Sequence, residues 1–310
     1  MQKEDNYLSF FSIIGPTIPQ KYKADPKEAL MMDCIACGSD LFHISYKFSS
    51  SAILTCNNCG LRFVRPLPDV EAMKEEYDKE YFSLYLSQYK KHREARFIEE
   101  LIEIEKLCKT GKILDVGCAY GFFLNLARNR GWEVFGVDIS EHAAEVARQL
   151  YGLNIFIGTL EESNFPDSFF DVVTLWTVLE HIPDPLSTLI EIRRILKPDG
   201  LLVIEIPNRD DLLVRTKILL GKISKGKLVN AEGLFTHHLY YFTEKSIREL
   251  CKRTNYKVIN IKRITENWYI KDRSGFDVPF KICAKKLIRT LGKITKYGHS
   301  DFIVYAKKSQ

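Results

Sequence analysis

Residues 112–123, KILDVGCAYGFF, decide the fold. An apolar run of strand length ends near Asp115, glycines follow at 117 and 121, and a helical pattern begins immediately after them. The order reads as strand, tight turn, helix. Glycine at 117 lets the backbone turn sharply and lets a ligand approach with no Cβ in the way. Ala119 stands where a dinucleotide-binding G-x-G-x-x-G motif needs its second glycine, which disfavours a pyrophosphate cradle. Asp138 closes the next apolar run, WEVFGVD, about 20 residues beyond Gly117, where a carboxylate accepts the hydroxyls of a ribose. The expected ligand is an adenosine without a diphosphate.

Outward from this turn, the runs KILDV, WEVFGVD, NIFIG, FDVVTLW and GLLVIEI alternate with helical patterns over 121–130, 141–151 and 185–196. The last of these is expected to end in a Lys-Pro-Asp-Gly turn. Such alternation is the signature of βαβ units and a parallel sheet. A helix over 244–254 and the strands YKVINIKRI and DFIVYAKK follow. Upstream, Asp69 can cap a helix that starts near Val70 and runs to about Leu107, with a break expected around Tyr81 to Leu84.

Four segments, LDVGCAYGFF, VFGVDIS, GTLEESNFPDSFFDVVTLWTVLEHIPDP and RRILKPDGLLVIEIPN, together resemble the class I S-adenosylmethionine-dependent methyltransferases, in the right order over about 112–207. The resemblance implies an α/β, Rossmann-like, doubly wound and mostly parallel seven-stranded sheet with an antiparallel last strand. It also implies roles. Asp115, Gly117, Cys118, Ala119, Tyr120 and Gly121 would form the turn under the methionine part of S-adenosylmethionine. Asp138, with Ile139 beside it, would hold the ribose. Leu160 and Glu161 would contact adenine, although Thr159 stands where many relatives carry Asp. Trp176 would face the sulfonium, which an aromatic ring suits, or serve as a core indole.

Methyl transfer to a hydroxyl needs alignment and removal of a proton, and a histidine poised near neutral pH is the usual base. His181, in LEHIPDP, and the pair His237 and His238, in THHLYYF, follow the fourth and fifth strands of the sheet. Ligands of open α/β sheets bind at those strand ends. His181 and His237 are the candidate catalytic residues. Tyr240 and Tyr241 would line an acceptor pocket or pack in the core.

Cys34-x2-Cys37 and Cys56-x2-Cys59, 18 residues apart, have the spacing of a four-thiolate structural zinc site. The stretch CNNCGLRFVRPLPDVEAMKEEYDKEYF resembles the N-terminal zinc ribbon of a bacterial and archaeal subset of these methyltransferases, whose members often act on sugars and other small metabolites. Cys108, Cys251 and Cys283 are isolated and read as packing residues. The expected organisation is a leader (1–29), a zinc-ribbon module (30–68), a helical linker (69–110) and a methyltransferase domain (111–310). That domain carries an acceptor-covering segment (208–243) and a basic amphipathic insertion (265–300).

The chain has 310 residues, 45% of them hydrophobic, which excludes wholesale disorder. No apolar run spans a bilayer and no basic n-region precedes the apolar patch at 7–14, so a cytoplasmic protein is expected. The net charge of +5 conceals an asymmetry: residues 1–211 hold 23 basic and 33 acidic side chains, residues 212–310 hold 22 and 7. A basic third suits an anionic partner or a plain solvated face. The acceptor is accordingly expected to be a small molecule, a sugar, nucleotide sugar or lipid-linked metabolite, with peripheral contact to an anionic membrane as one option. No nucleic-acid reading module is recognisable. An RNA-modifying enzyme and a catalytically silent cofactor-binding protein stand as the alternatives.

Overall fold

Small apolar runs flanked by the cysteine pairs build the first sheet. The computed structural model describes residues 33–47, 51–67, 79–209, 216, 238–264 and 300–309. Strands β1 (Phe42–Lys47), β2 (Ala52–Cys56) and β3 (Arg62–Arg65) form an antiparallel meander. A long helix, α1 (Lys79–Leu107), leads to the second layer system. It is continuous through Tyr81 to Leu84, correcting the expected break. No glycine or proline interrupts residues 79–107, and aromatic residues lower helix propensity only modestly relative to alanine.

The alternating patterns then give β4 (Lys112–Val116), α2 (Phe122–Asn129), β5 (Glu133–Asp138), α3 (Glu141–Tyr151), β6 (Ile155–Ile157), β7 (Phe170–Trp176), α4 (Pro185–Ile195) and β8 (Leu196–Pro207). Ser140 accepts from the Ala143 amide and Asp184 from the Ser187 amide, capping α3 and α4. The chain continues with β9 (Tyr240–Tyr241), α5 (Glu244–Arg253), β10 (Tyr256–Ile264) and β11 (Asp301–Lys308). Seven strands pair in the order β10-β11-β8-β7-β4-β5-β6, with β11 antiparallel to both neighbours and β4 to β8 parallel. This is the expected doubly wound sheet.

The period of two explains its layers. Ile113, Val172, Val203 and Ile303 point to one face, where Phe97, Leu101 and Ile104 of α1 meet Phe123 and Leu124 of α2. Their neighbours Leu114, Val173, Ile204 and Val304 point to the other, under α4 and α5, in a core that also contains Cys34, Leu54, Phe63 and Tyr240. The helical stretch expected as a linker therefore supplies part of the core.

The Lys-Pro-Asp-Gly turn is also corrected. Phe170 pairs with Leu196 and Val172 with Leu201, so residues 197–200 bulge from within β8 rather than ending α4 in a turn. Asp171 holds this bulge, accepting from Lys197 Nζ at 2.8 Å with each oxygen and from the Lys112 amide at 2.8 Å. The leader, Val70, Tyr77, His237, Cys283 and the two basic stretches lie outside the described residues. No helix among the described residues is long and apolar enough to cross a membrane.

Candidate active site

The glycine turn is built from the end of β4. The amides of Gly117 and Cys118 donate to Val137 O of β5 at 2.8 and 3.1 Å, and Gly121 N donates to Cys118 O at 2.9 Å. Both glycines have φ near +68°, and a Cβ on Gly117 would stand 2.6 Å from Val178 Cγ2. Asp138 clasps the turn: its Oδ2 accepts from Ala119 N at 2.7 Å and its Oδ1 from Ser140 N at 2.9 Å. Each carboxylate oxygen retains a lone pair for a further donor. Asp115 is buried and accepts from Thr174 Oγ1 at 2.7 Å, while burial pushes its carboxyl up to about 8. Burial also drives the Cys118 thiol well above its ordinary value, which makes it a poor nucleophile.

The other cofactor candidates fall around this turn. Tyr120 is buried, edge-on to His142. Ile139 is half-buried and Leu160 buried. Glu161 is turned toward α4, where it accepts from Thr188 Oγ1 at 2.8 Å; its neighbour Glu162 accepts from the Thr159 amide at 2.7 Å. Trp176 lies against Phe97 and Phe123, ring centroids 5.3 and 4.9 Å away, and its Nε1 finds no hydrogen-bond partner among the described residues. A buried unsatisfied donor costs free energy, and a ligand acceptor would relieve it.

Past β7 a turn of 3-10 helix, Leu179–His181, carries the second group. Glu180 is buried with neither carboxylate oxygen hydrogen-bonded among the described residues, and burial, then the charges of Glu205 and Asp301, push it up to about 8. His181 Nε2 stands 3.9 Å from Glu180 Oε1, and its ring meets His238 edge-on with centroids 4.7 Å apart. Arg209 Nη2 donates to His238 Nδ1 at 2.8 Å. A guanidinium only donates, so Nδ1 is the accepting nitrogen and the ring proton sits on Nε2. Glu180, His181 and His238 offer ligand atoms within 4.8 Å of one another. Arg209 opposes a cation there by its charge and by keeping Nε2 protonated.

Sequence reasoning missed the charges behind this group. Arg96 of α1 forms an ion pair with the buried Glu205 of β8, with Arg93 3.8 Å from the same oxygen. Asp301, next to them, is raised to about 6 by burial. The signal was present: Glu205 is a lone acid inside the apolar run GLLVIEI, and a buried carboxylate demands a partner.

Comparison with known proteins agrees with this architecture. Residues 89–261 match the family described as methyltransferase domain, more than half of the chain. The chain belongs to that family. It is a class I S-adenosylmethionine-dependent methyltransferase. The methyltransferase is 31% identical over 186 residues to a ubiquinone biosynthesis O-methyltransferase from Azoarcus sp. (strain BH72), covering 57% of this chain and 78% of the relative. It is 37% identical over 128 residues to the same-named protein of Idiomarina loihiensis, covering 37% of this chain and only 52% of that relative. In fold it is similar to a SAM-dependent methyltransferase from Archaeoglobus fulgidus, with TM-score 0.52 and 20% identity over 74% of this chain and 100% of that one.

The methyltransferase also brings its four predicted cysteines together. Cys34 and Cys59 sulfurs are 3.6 Å apart, as are Cys37 and Cys56, and all four lie within 4.8 Å. Four thiolates around zinc at ~2.3 Å would stand about 3.8 Å apart. Gly38 N donates to Cys34 O at 2.8 Å and Gly60 N to Cys56 O at 3.0 Å, the same tight turn twice. Cys34 is lowered to about 5 by its hydrogen bond with Cys59, whose own thiol rises. Among the remaining cysteines, Cys251 is buried and Cys108 half-buried.

Proposed function

We propose that the methyltransferase methylates a hydroxyl oxygen of a small acceptor, a sugar, nucleotide sugar or lipid-linked glycan. The convergence of Glu180, His181, His238 and Arg209 beyond the carboxyl ends of β7 and β8 carries this reading. Buried Glu180 and half-buried His181, His238 and Arg209 suit an acceptor rich in hydroxyls, and the O-methyltransferase names of the relatives favour oxygen. S-adenosylmethionine supplies an electrophilic methyl carbon whose bond to sulfur breaks as the acceptor oxygen attacks. Asp138 would hold its ribose, and Leu160 with the Glu161 backbone would flank its adenine. The turn from Asp115 to Gly121 would hold its methionine part, with Trp176 beside the sulfonium. His181, its ring next to a carboxyl, takes the hydroxyl proton, while His238, fixed as the Nε2–H tautomer, donates to a neighbouring oxygen of the acceptor. His237, the other candidate of the sequence, stays a proposal for the proton transfer.

The four cysteines would hold a structural zinc ion, closed to water by its four thiolates. The excess of basic residues after 211 fits a phosphate-bearing or membrane-borne acceptor. A second reading follows from the relatives' names: a hydroxylated precursor of ubiquinone, for which phenols serve as probes.

The test is an acceptor screen with labelled S-adenosylmethionine over sugars, nucleotide sugars, lipid-linked glycans and phenols, followed by His181→Ala and His238→Ala. Turnover should fall by ~10²–10⁴ in His181→Ala, with S-adenosylhomocysteine affinity retained in both. Unchanged turnover in both variants sinks the proton-transfer role, and labelling of phenols alone sinks the sugar reading.

A further inference from the structure

The cysteine module does more than sit at the end of the chain. Its strand β3 pairs with β9, Arg62 opposite Tyr241 and Phe63 opposite Tyr240, so the chain that follows His238 is the fourth strand of the module's own sheet. Val64 N donates to Leu239 O at 2.9 Å, and Leu239 N donates to Glu180 O at 2.9 Å. One residue, Leu239, thus links the module to the turn that carries Glu180 and His181. The metal knuckles themselves are tied to the same segment and to α5. Thr243 Oγ1 donates to Cys59 O at 3.2 Å, Lys245 Nζ to Asn58 O, and Arg253 Nη1 to Cys34 O at 2.6 Å. Arg62 Nη1 reaches Arg209 O at 3.3 Å, the residue that sets the His238 tautomer. The Tyr240 hydroxyl donates to Pro183 O at 2.8 Å, and the Arg65 guanidinium lies 4.7 Å from the Phe63 ring. The hydrogen bonds join the module to Arg209, to residues 239–243 and to α5, and Leu239 and Tyr240 in turn to Glu180 and Pro183. None of the module's described hydrogen bonds reaches the glycine turn or Asp138.

We infer that the four-cysteine module is the positioning element of the acceptor site: filling the cysteine centre fixes β3, and β3 fixes residues 238–241 and the Glu180–His181 turn, independently of the cofactor site. The inference rests on the proposed acceptor wall and on zinc as the ion. It adds a division of labour between the cysteine module and the glycine turn. Without the ion, four thiols within 4.8 Å have no common partner, the knuckles lose their anchor, and the pairing of β3 with β9 loosens first. Asp138 and the glycine turn are held by β4 and β5 and should not respond.

The experiment is hydrogen exchange with mass spectrometry on the full chain, as purified and after removal of metal by a chelator, with metal content and S-adenosylhomocysteine affinity measured on the same samples. Expected are one zinc per chain and, after chelation, at least tenfold faster exchange in 238–243 and 179–182. Exchange in 113–121 should be unchanged, and S-adenosylhomocysteine Kd should hold within twofold. Faster exchange in 52–65 with 238–243 unchanged overturns the inference and makes the module an appendage. Faster exchange throughout, with cofactor binding lost, overturns it in favour of a general role in folding. A preparation without zinc refutes the metal reading, and the coupling is then read from Arg253→Ala and Thr243→Val. These variants should speed exchange in 238–243 while S-adenosylhomocysteine still binds; no change in 238–243 overturns the coupling as well.

Discussion

At Gly117, two constraints coincide: φ is +68° and a Cβ would meet both methyls of Val178, at 2.6 and 2.8 Å. Gly117→Ala is expected to cost about 1–3 kcal/mol and to weaken S-adenosylhomocysteine binding at least tenfold, measured by urea unfolding and calorimetry. Glu180 makes a prediction about pH. Its carboxyl is raised by burial to about 8 in the fold and ionises near 4.3 in an unfolded chain. The folded state therefore keeps its proton over a range where the unfolded state has lost it. This contribution to stability is complete at low pH and is lost as pH rises through about 8. Glu180→Gln cannot ionise, so its stability relative to the natural chain should improve by about 3–4 kcal/mol between pH 5 and pH 8. Denaturant midpoints at both pH values check this. These residues differ in legibility. The glycines and Asp138 stand out in one line of sequence because a turn and a strand end fix them locally. The Arg209–His238 contact joins positions 29 apart through a tertiary fold, and no local pattern encodes it.

Among the elements, α1 teaches the clearest lesson. Its side chains Phe97, Leu101 and Ile104 follow helical spacing and enter the core, yet Arg93 and Arg96 share the same buried surface to meet Glu205. Among the described residues, Arg96→Met leaves that carboxylate with only the more distant Arg93 and is expected to cost about 3 kcal/mol, whereas Arg96→Met combined with Glu205→Gln should recover most of it. Thermal melts of the two variants decide. The central strands β7 and β8 were readable because both faces are covered and their runs are nearly continuously apolar. The break expected in α1 and the turn expected after α4 misled because they were judged from local composition alone. With no glycine or proline to stop it, the helix continues through its aromatic stretch, and pairing of Phe170 with Leu196 started β8 four residues early.

On the scale of the whole molecule, one core runs from Cys34, Leu54 and Phe63 through Tyr240, Phe242 and Leu250 to Leu114 and Val304. A chain lacking residues 1–67 would uncover Tyr240, Phe242 and the inner side of α5. It is expected to elute as aggregates from a sizing column, while the full chain elutes as a discrete species. The existence of the cysteine module was legible from spacing, but its pairing with the chain beside Glu180 and His181 was not: two tyrosines in THHLYYF carry no mark of a strand that completes a distant sheet.

That pairing also sets a timetable for synthesis. Thr243 and the Cys59 carbonyl it binds are 184 positions apart, which at ~5–20 residues per second is roughly 10–40 s of elongation. For most of that interval β3 is already made while the chain that becomes β9 does not yet exist. Its outer edge is an open template for any other nascent strand. Early loading of metal would order the cysteine knuckles without closing that edge. The last strand of the first module is supplied by one of the later segments to be made, so a stalled ribosome leaves an intact ribbon with one sticky side.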